Sequence, residues 1–258
     1  MQEIPPDVLA QLNHGTLASA NLVEWLAVDQ GVLLGHFLAS HACSDLHAPI
    51  LDRVAALPRR SVNTVQASIG AGLLHAARHL GNDALLGRLL DHPSDSVRCW
   101  AAHAIGQDAS LDLVDVLTAI QPLAADPHFG VREVAWMAVR PRLARELDLA
   151  LALLQPWTQH PDENLRRFAS EVTRPRGVWC SHIVALKENP ALGLPLLESL
   201  RNDPSRYVQN SVANWLNDAA KSHPVFVRDV LARWQAESPT AATGYIVRRG
   251  MRSCAGRR

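Results

Sequence analysis

Apolar residues recur at helical spacing along most of the chain, and one pattern of polar and apolar positions is repeated. Each copy begins with a polar, proline-containing turn and continues with apolar residues on one helical face. The copies align on one apolar position, which is occupied by Val97, Val131, Leu165 and Val208. The first two intervals between these residues are 34 residues long and the third is 43. Repetition at this period predicts a helical repeat protein.

A further amphipathic segment precedes these helices, so the predicted unit is a helix, a turn and a second helix. The additional segments predicted to be helical are 17–38, 46–57, 62–80, 111–124, 144–157 and 192–200. Gly70, Gly72 and Gly81 are expected to interrupt the helical pattern. No segment alternates in the way that predicts a strand. The sequence therefore predicts an all-α superhelix of HEAT-like repeats, with a single domain over 1–252 and a basic, disordered tail over 253–258.

Stacked repeats bring equivalent positions of successive second helices side by side. Three such columns are predicted: Cys99, Glu133, Arg167 and Asn210; His103, Met137, Glu171 and Asn214; and Gly106, Arg140, Arg174 and Asn217. Within one helix, Glu133, Met137 and Arg140 share a face because they are four and then three residues apart. We therefore expect a continuous polar stripe on the concave surface of the superhelix.

Positive charge is concentrated in the second half of the chain, although the 25 basic and 25 acidic residues balance overall. Residues 1–125 contain 6 basic and 12 acidic residues, and residues 126–258 contain 19 and 13. The triplet Arg-Pro-Arg occurs at 140–142 and again at 174–176. We expect proline to end a helix at each triplet, leaving the arginines free to reach a polyanion. Alternatively, these arginines cap helix carbonyls and pair with neighbouring acids, and the arginine excess reflects GC-rich coding.

Three carboxylates, Glu133, Glu171 and Asp218, are predicted to cluster within this arginine-rich stripe. Carboxylates weaken the binding of an anion, so they have no function in a surface that only binds a polyanion. A cluster of this kind can stabilise a developing cation or orient a water molecule. Structural salt bridges are the alternative. Trp136 replaces the small residues of the equivalent positions, either to fill a gap or to stack on a cationic ligand.

Other chemistries have little support in the sequence. His75 and His79 are one helical turn apart, but no third metal ligand is placed near them, so no metal is expected. Nucleotide-binding glycine motifs are absent, and no cofactor is predicted. Four widely spaced cysteines suit a reducing compartment. Because neither a secretory leader nor a membrane-spanning run is present, the sequence predicts a cytoplasmic protein.

Several segments resemble the AlkC branch of the AlkC/AlkD family of bacterial DNA alkylation-repair glycosylases. The most specific are RRFASEVTRPR at 166–176 and SVANWLND at 211–218, joined by LVEWLAVD at 22–29 and by HFGVRE at 128–133 with Trp136. The resemblance runs from about Leu12 to about Arg252. It implies a monofunctional, cofactor-free glycosylase that removes cationic N3- or N7-alkylated purines, chiefly 3-methyladenine, from duplex DNA without deep base flipping.

In this family, catalysis is expected to stabilise an oxocarbenium-like sugar and to position a water molecule with a carboxylate. The resemblance implies that Glu133, Glu171 and Asp218 lie near the sugar of the lesion, with Arg167 and Trp179 in the same pocket. Trp136 is added to this set from the repeat columns. The residues predicted to contact DNA are Arg132, Arg140, Arg142, Arg174, Arg176, Asn210, Asn214, Asn217, Arg248 and Arg249.

Two features depart from the family pattern. Some AlkC relatives carry an additional immunoglobulin-like domain, and none is expected here. Gln209 replaces the arginine found at the equivalent position as Arg98, Arg132 and Arg166, which removes one potential cation. We expect a monomer that binds double-stranded DNA. The alternatives are a HEAT-repeat protein that binds DNA without catalysis and a protein-interaction scaffold. The sequence leaves the preferred lesion open.

Overall fold

The computed structural model describes residues 4–177 and 179–253, and these residues form α-helices and short 3-10 helices without any β-strand. The α-helices are α1 Pro6–His14, α2 Leu22–Ala27, α3 Gln30–Ser40, α4 His47–Ala55, α5 Val62–Leu80, α6 Asp83–Leu90, α7 Asp95–Gln107, α8 Leu113–Ala124, α9 Phe129–Arg145, α10 Leu147–Leu154, α11 Glu163–Val172, α12 Val184–Glu188, α13 Leu194–Leu200, α14 Arg206–Ala220, α15 Pro224–Glu237 and α16 Ala241–Gly250. The 3-10 helices are Ser44–Leu46, Pro156–Gln159 and Pro190–Gly193. The predicted all-α class is confirmed. The predicted disordered tail lies outside the described residues except for Ser253.

The four predicted second helices are α7, α9, α11 and α14, and each follows a shorter helix as the repeat unit requires. The segment 17–38, which was predicted to be helical, contains two helices, α2 and α3. Asp29 separates them by capping α3, where its side chain accepts hydrogen bonds from the backbone amides of Gly31 and Val32.

Two glycines expected to interrupt a helix instead lie inside α5. At Gly70, a Cβ atom would lie 2.6 Å from the carbonyl oxygen of Trp100, so the missing side chain lets α5 and α7 approach closely. Gly106 on α7 does the same against the Ala138 carbonyl on α9. Gly81 does end α5, in the left-handed conformation with a φ of 62°.

The repeated turns share a set of hydrogen bonds that explains the repeat pattern. Five residues before the aligned apolar position, a side chain accepts a hydrogen bond from the backbone amide two residues further on. This acceptor is His92, Asp126, His160 or Asp203 in the successive turns. A proline follows each of them. Each second helix therefore begins after a turn with the same hydrogen-bonding pattern.

Arginine at the start of the second helix holds the turn that precedes it. The Arg98 guanidinium donates to the carbonyls of residues 92 and 93, and Arg132 and Arg166 repeat this contact with their own turns. Gln209 preserves part of it by donating to the Asp203 carbonyl. Arg166 also pairs with Asp203 in the next turn, at 2.7 Å. The Val-Arg pattern is therefore explained by contacts within the protein, and Gln209 retains the structural part of the role.

The chain divides into two compact units, Met1–Val139 and Arg140–Arg258, and the boundary falls within α9. In the second unit, α13, α14, α15 and α16 enclose a core that includes the fully buried residues Leu197, Val212, Trp215 and Trp234. This core fixes α14, and α11 packs against α14 in the same unit. The single domain expected over residues 1–252 stays a prediction.

Candidate functional site

Two of the three predicted catalytic carboxylates meet on one arginine. Glu171 lies near the end of α11, Asp218 lies on α14, and Arg174 follows α11 and reaches between them. The Arg174 Nη1 donates to Glu171 Oε1 at 2.6 Å, and its Nε and Nη2 donate to Asp218 Oδ2 at 2.9 and 2.7 Å. We call Glu171 and Asp218, which Arg174 joins, the bridged pair. Each of the two carboxylate residues is only 3% exposed.

Further polar side chains hold the outer oxygens of the bridged pair. Ser211 Oγ donates to Glu171 Oε2 at 2.7 Å, and Arg167 Nη2 lies 3.5 Å from the same oxygen. The Lys221 ammonium donates to Asp218 Oδ1 at 2.9 Å. Arg167, Arg174 and Lys221 therefore supply three cations to two carboxylates. The acidic cluster expected from the sequence is, in this unit, a neutralised and hydrogen-bonded network.

The surroundings of Glu171 keep it ionised. Burial by itself acts to raise the pKa of Glu171, but the charges of Arg167 and Arg174 and the hydrogen bonds from Ser211 and Arg174 outweigh it and lower the pKa below its usual value. A carboxylate with a lowered pKa does not hold a proton at neutral pH. Glu171 is therefore suited to electrostatic stabilisation and unsuited to the role of general acid.

The third predicted carboxylate, Glu133, lies on α9 in the first unit. Its Oε2 accepts a hydrogen bond of 2.9 Å from the indole Nε1 of Trp136, one turn further along the helix. Glu133 is partly exposed, which sets it apart from the buried bridged pair. The expected convergence of Glu133 with Glu171 and Asp218 stays a prediction.

Trp136 is a core residue. Its side chain is 2% exposed, so no ligand can stack on the ring. The prediction that Trp136 forms a stacking platform is therefore wrong, and of the two uses considered the ring fills a gap between helices. Its role near Glu133 is limited to the hydrogen bond from the indole.

Trp179 lies at the surface, in contrast to the buried Trp136, and is 77% exposed. The residue lies in the loop after α11 and has a positive φ of 58°, a conformation that is unfavourable for a residue with a side chain. Strain of this kind costs about 1–3 kcal/mol and persists where the surroundings impose it. An exposed aromatic ring held in a strained loop is available to stack on a ligand.

Arg140 anchors the loop that carries Trp179. Its guanidinium donates to the carbonyls of Val172 and Arg174 at the start of the loop and to that of Ser181 at the end. The side chain is only 2% exposed. Sequence reasoning expected Arg140 to reach outward from a helix ended by proline, and this is wrong because α9 continues through Pro141 to Arg145. The position of Arg140 in the core does not favour contact with DNA.

The other predicted DNA-binding arginines differ in what they contact. Arg174 is 8% exposed and engaged in the bridged pair, so the expectation that it reaches outward is also wrong. Arg132 holds its own turn. Arg176 is half-buried and donates to the Ser222 hydroxyl at 2.6 Å. Arg142 is also half-buried, and its contact with DNA stays a prediction.

The three asparagines of α14 that were predicted to contact DNA accept hydrogen bonds from α16 and from the residues that follow it. Tyr245 donates to Asn210 Oδ1 at 2.6 Å, Arg252 donates to Asn214 Oδ1 at 2.7 Å, and the Ser253 amide donates to Asn217 Oδ1 at 3.0 Å. Asn217 is only 4% exposed. The prediction that this residue contacts DNA is wrong, because the C-terminal segment occupies its face. Asn210 and Asn214 are partly exposed, and their contacts with DNA stay predictions.

The arginines around α16 were predicted only in part, since Arg206 and Arg252 were not among the candidate residues. Arg248 and Arg249 are exposed, as their predicted role requires. Arg206 was not singled out, yet its guanidinium carbon lies 3.5 Å from the centre of the Tyr245 ring. Tyr245 was the available signal, because tyrosine rings in this unit attract arginines. The guanidinium carbon of Arg167 likewise lies 4.8 Å from the centre of the Tyr207 ring.

No group of three metal-ligating side chains occurs among residues 4–177 and 179–253. The rings of His75 and His79 stack, with centroids 6.4 Å apart, and no third ligand joins them in that part of the chain. Across the same described residues, no helix is long and apolar enough to cross a membrane.

Paired helices joined by polar, proline-containing turns define an all-α protein of the HEAT-like repeat class. A family model described as "DNA alkylation repair enzyme" matches residues 74–252. The chain therefore belongs to the DNA alkylation repair enzyme family.

Individual relatives agree with this assignment. The chain is similar to the Pseudomonas fluorescens alkylpurine DNA glycosylase AlkC, solved bound to DNA containing an abasic site analogue, with 25% identity and a TM-score of 0.66 over 96% of this chain and 62% of that chain. It shares its fold with AlkD2 from Streptococcus mutans, with 18% identity and a TM-score of 0.61 over 80% of this chain and 97% of that one.

A curated relative, the uncharacterized protein YhaZ of Bacillus subtilis (strain 168), is 43% identical over 116 residues, or 45% of this chain and 32% of that protein. The chain thus spans less than two thirds of the length of YhaZ and of the AlkC chain.

Proposed function

We propose that this protein is a DNA glycosylase that releases cationic N3- or N7-alkylated purines from duplex DNA. The observation that carries the proposal is the placement of the 77% exposed Trp179 on a strained loop that begins at the bridged pair. An aromatic face attracts a cationic base, and nearby ionised carboxylates stabilise positive charge on the sugar. Family membership and the similarity to AlkC support the same activity.

The charge state of the site favours a cationic leaving group. A neutral purine needs a proton before its glycosidic bond breaks easily, whereas an alkylated purine already carries the positive charge. Glu171 has a lowered pKa and holds no proton to donate. Its contribution, together with that of Asp218, is negative charge that Arg174 holds in place and partly offsets. Glu133 is a further candidate for positioning water because it is partly exposed.

The contacts within the bridged pair also favour a second candidate, a protein that binds DNA without catalysis. Both carboxylates are 3% exposed and are engaged by arginine, which weakens the field that they exert on a ligand. In this alternative, Glu171 and Asp218 only stabilise the fold, and Trp179 stacks on DNA. The two candidates make different predictions for base release.

Single-turnover release of 3-methyladenine or 7-methylguanine, measured with protein in excess over duplex DNA, tests the proposal. We expect release by the wild type, and we expect Asp218→Asn to slow it by about 10²–10³-fold, as loss of an electrostatic catalytic group does. Trp179→Ala should cost about 0.5–2 kcal/mol through loss of the cation–π contact. Glu133→Gln tests the water-positioning role separately.

Glu188→Gln is a matched control, since it neutralises an exposed carboxylate at the end of α12 that forms no ion pair within the described residues. DNA binding by a wild type that releases no base would select the second candidate. Release that is unchanged in Asp218→Asn, Glu133→Gln and Trp179→Ala would contradict the proposed site.

A further inference from the structure

Three arginines gather near one tyrosine of α16, where α16 meets α14. The guanidinium carbons of Arg206 and Arg249 lie 3.5 and 5.6 Å from the centre of the Tyr245 ring. The Tyr245 hydroxyl is held by Asn210, which fixes the ring. Arg252 lies one turn beyond Arg249, and its Nη1 donates to the Arg249 carbonyl. We call Arg206, Arg249 and Arg252 the arginine cluster.

The arginine cluster is not balanced by bound acids. Within residues 4–177 and 179–253, none of its members forms an ion pair with a carboxylate. The nearby arginines Arg201 and Arg233, in contrast, pair with Glu198 and Glu237. All three members of the cluster are exposed. Like charges held together without counter-charges repel one another, so the cluster lowers its energy by taking up an anion.

Local structure favours Arg249, which lies in the last turn of α16, but it does not explain the position of Arg206. Arg206 is the first residue of α14, where the helix dipole disfavours a cation. Partial burial, and after it the charge of Arg249, lowers the pKa of Arg252. The Arg252 guanidinium is also within electrostatic range of Asp218 and Arg174. Through Arg252 the cluster is electrostatically coupled to the bridged pair, and its members are exposed to solvent.

We infer that the arginine cluster binds a backbone phosphate of duplex DNA and so extends the DNA contact of this protein onto α16. The inference rests on the proposed function for the identity of the anion. The planar guanidinium group of arginine matches the geometry of phosphate oxygens. Arg206 and Arg249 already stack on Tyr245, so their side chains lose less conformational freedom when they bind phosphate. The contact is independent of sequence and of the lesion, because the phosphate carries no base identity.

The salt dependence of DNA binding tests this inference. The probe is a short duplex that contains an abasic-site analogue, titrated between about 50 and about 200 mM salt. We expect the variant Arg206→Ala/Arg249→Ala/Arg252→Ala to reduce the slope of log affinity against log salt by about 1 for each arginine that contacts phosphate. Each lost contact shrinks the affinity change over this salt range by about 3.5-fold. An undamaged duplex should show the same reduction.

Arg228→Ala is the matched control, because Arg228 is exposed on α15 in the same unit and forms no ion pair within the described residues. It should leave the slope unchanged. A slope that is unaltered in the triple variant, or reduced equally by Arg228→Ala, would overturn the inference. Thermal unfolding of each variant checks that the fold is kept, and Arg249→Glu provides a single-site version.

The outcomes separate this inference from the proposed function. If the wild type releases no base but the triple variant loses salt dependence, the phosphate site stands and the glycosylase proposal fails. If base release occurs at saturating protein while the slope is unaltered in the triple variant, the glycosylase proposal stands and the phosphate site fails. When both are correct, the triple variant should need a higher protein concentration than the wild type to reach half-maximal base release, and this difference should grow as the salt concentration rises.

Discussion

Replacement of Arg174 by methionine tests the bridged pair most severely. The change removes the charge and keeps much of the volume of the side chain. Three hydrogen bonds are lost, one to Glu171 and two to Asp218. Both carboxylates are 3% exposed, so water does not replace the lost donors.

The magnitude follows from what remains around each carboxylate. Removal of one partner from a buried ion pair costs about 3–5 kcal/mol. Glu171 keeps Ser211 and Arg167, and Asp218 keeps Lys221. We therefore expect Arg174→Met to lower the free energy of unfolding by about 3 kcal/mol at neutral pH, at the low end of that range.

The loss should depend on pH. Because Arg174 helps to lower the pKa of Glu171 in the folded protein, its contribution is present above the usual pKa of 4.5 and fades as pH falls through the lowered value. Urea unfolding followed by circular dichroism measures the free energy at several pH values, with an unchanged m-value as the check on cooperativity. Arg228→Met is the control and should change it by less than about 0.5 kcal/mol.

A loss below about 1 kcal/mol at neutral pH, the size of a surface ion pair, would refute this reasoning. A double-mutant cycle with Asp218→Asn sharpens the test. The coupling between the two changes should reach about 0.5–3 kcal/mol if the contact is direct. Additive effects would show that Arg174 does not hold Asp218.

Three further predictions concern the surrounding structure. Arg140→Met should lower the free energy of unfolding by about 1–3 kcal/mol or more, because buried carbonyls lose their donor, and it should alter the quenching of Trp179 fluorescence. An unaltered stability would contradict the anchoring role. Gly106→Ala should destabilise by about 1–3 kcal/mol through its clash with the α9 backbone, whereas Gly87→Ala, with open space around it, should stabilise by about 0.4–1 kcal/mol in thermal unfolding. Burial lowers the pKa of His103 from 6.5 to about 4, so stability should fall as pH is lowered through that interval, and His103→Leu should flatten this dependence in urea titrations.

The sequence predicts the repeat fold well because the signal is local. A proline-containing turn and an apolar face are each read from a few neighbouring residues, and the aligned positions Val97, Val131, Leu165 and Val208 are all fully or almost fully buried. The errors arise where tertiary packing overrides local preference. Pro141 is tolerated inside α9, and Gly70 is required inside α5 because two helices approach there.

The candidate site was predicted in part. Helical spacing correctly grouped Glu171 with Arg174, since the two residues are three positions apart in one segment. The pairing of Arg174 with the carboxylates is the alternative that the sequence left open, whereas the cover of Asn217 by the residues after α16 was not predicted. Column positions specify which residues share a face, whereas burial depends on what packs over that face. That information lies in residues distant in the sequence.

The central claim is that an already cationic base leaves with electrostatic help and without a general acid. The most direct measurement compares single-turnover release of 7-methylguanine and of the neutral base hypoxanthine from otherwise identical duplexes across the pH range in which the protein is folded. We expect release of 7-methylguanine with a rate constant that does not fall as pH rises above neutrality, and we expect no release of hypoxanthine. Release of hypoxanthine, or a 7-methylguanine rate that falls with the titration of an acid, would contradict it.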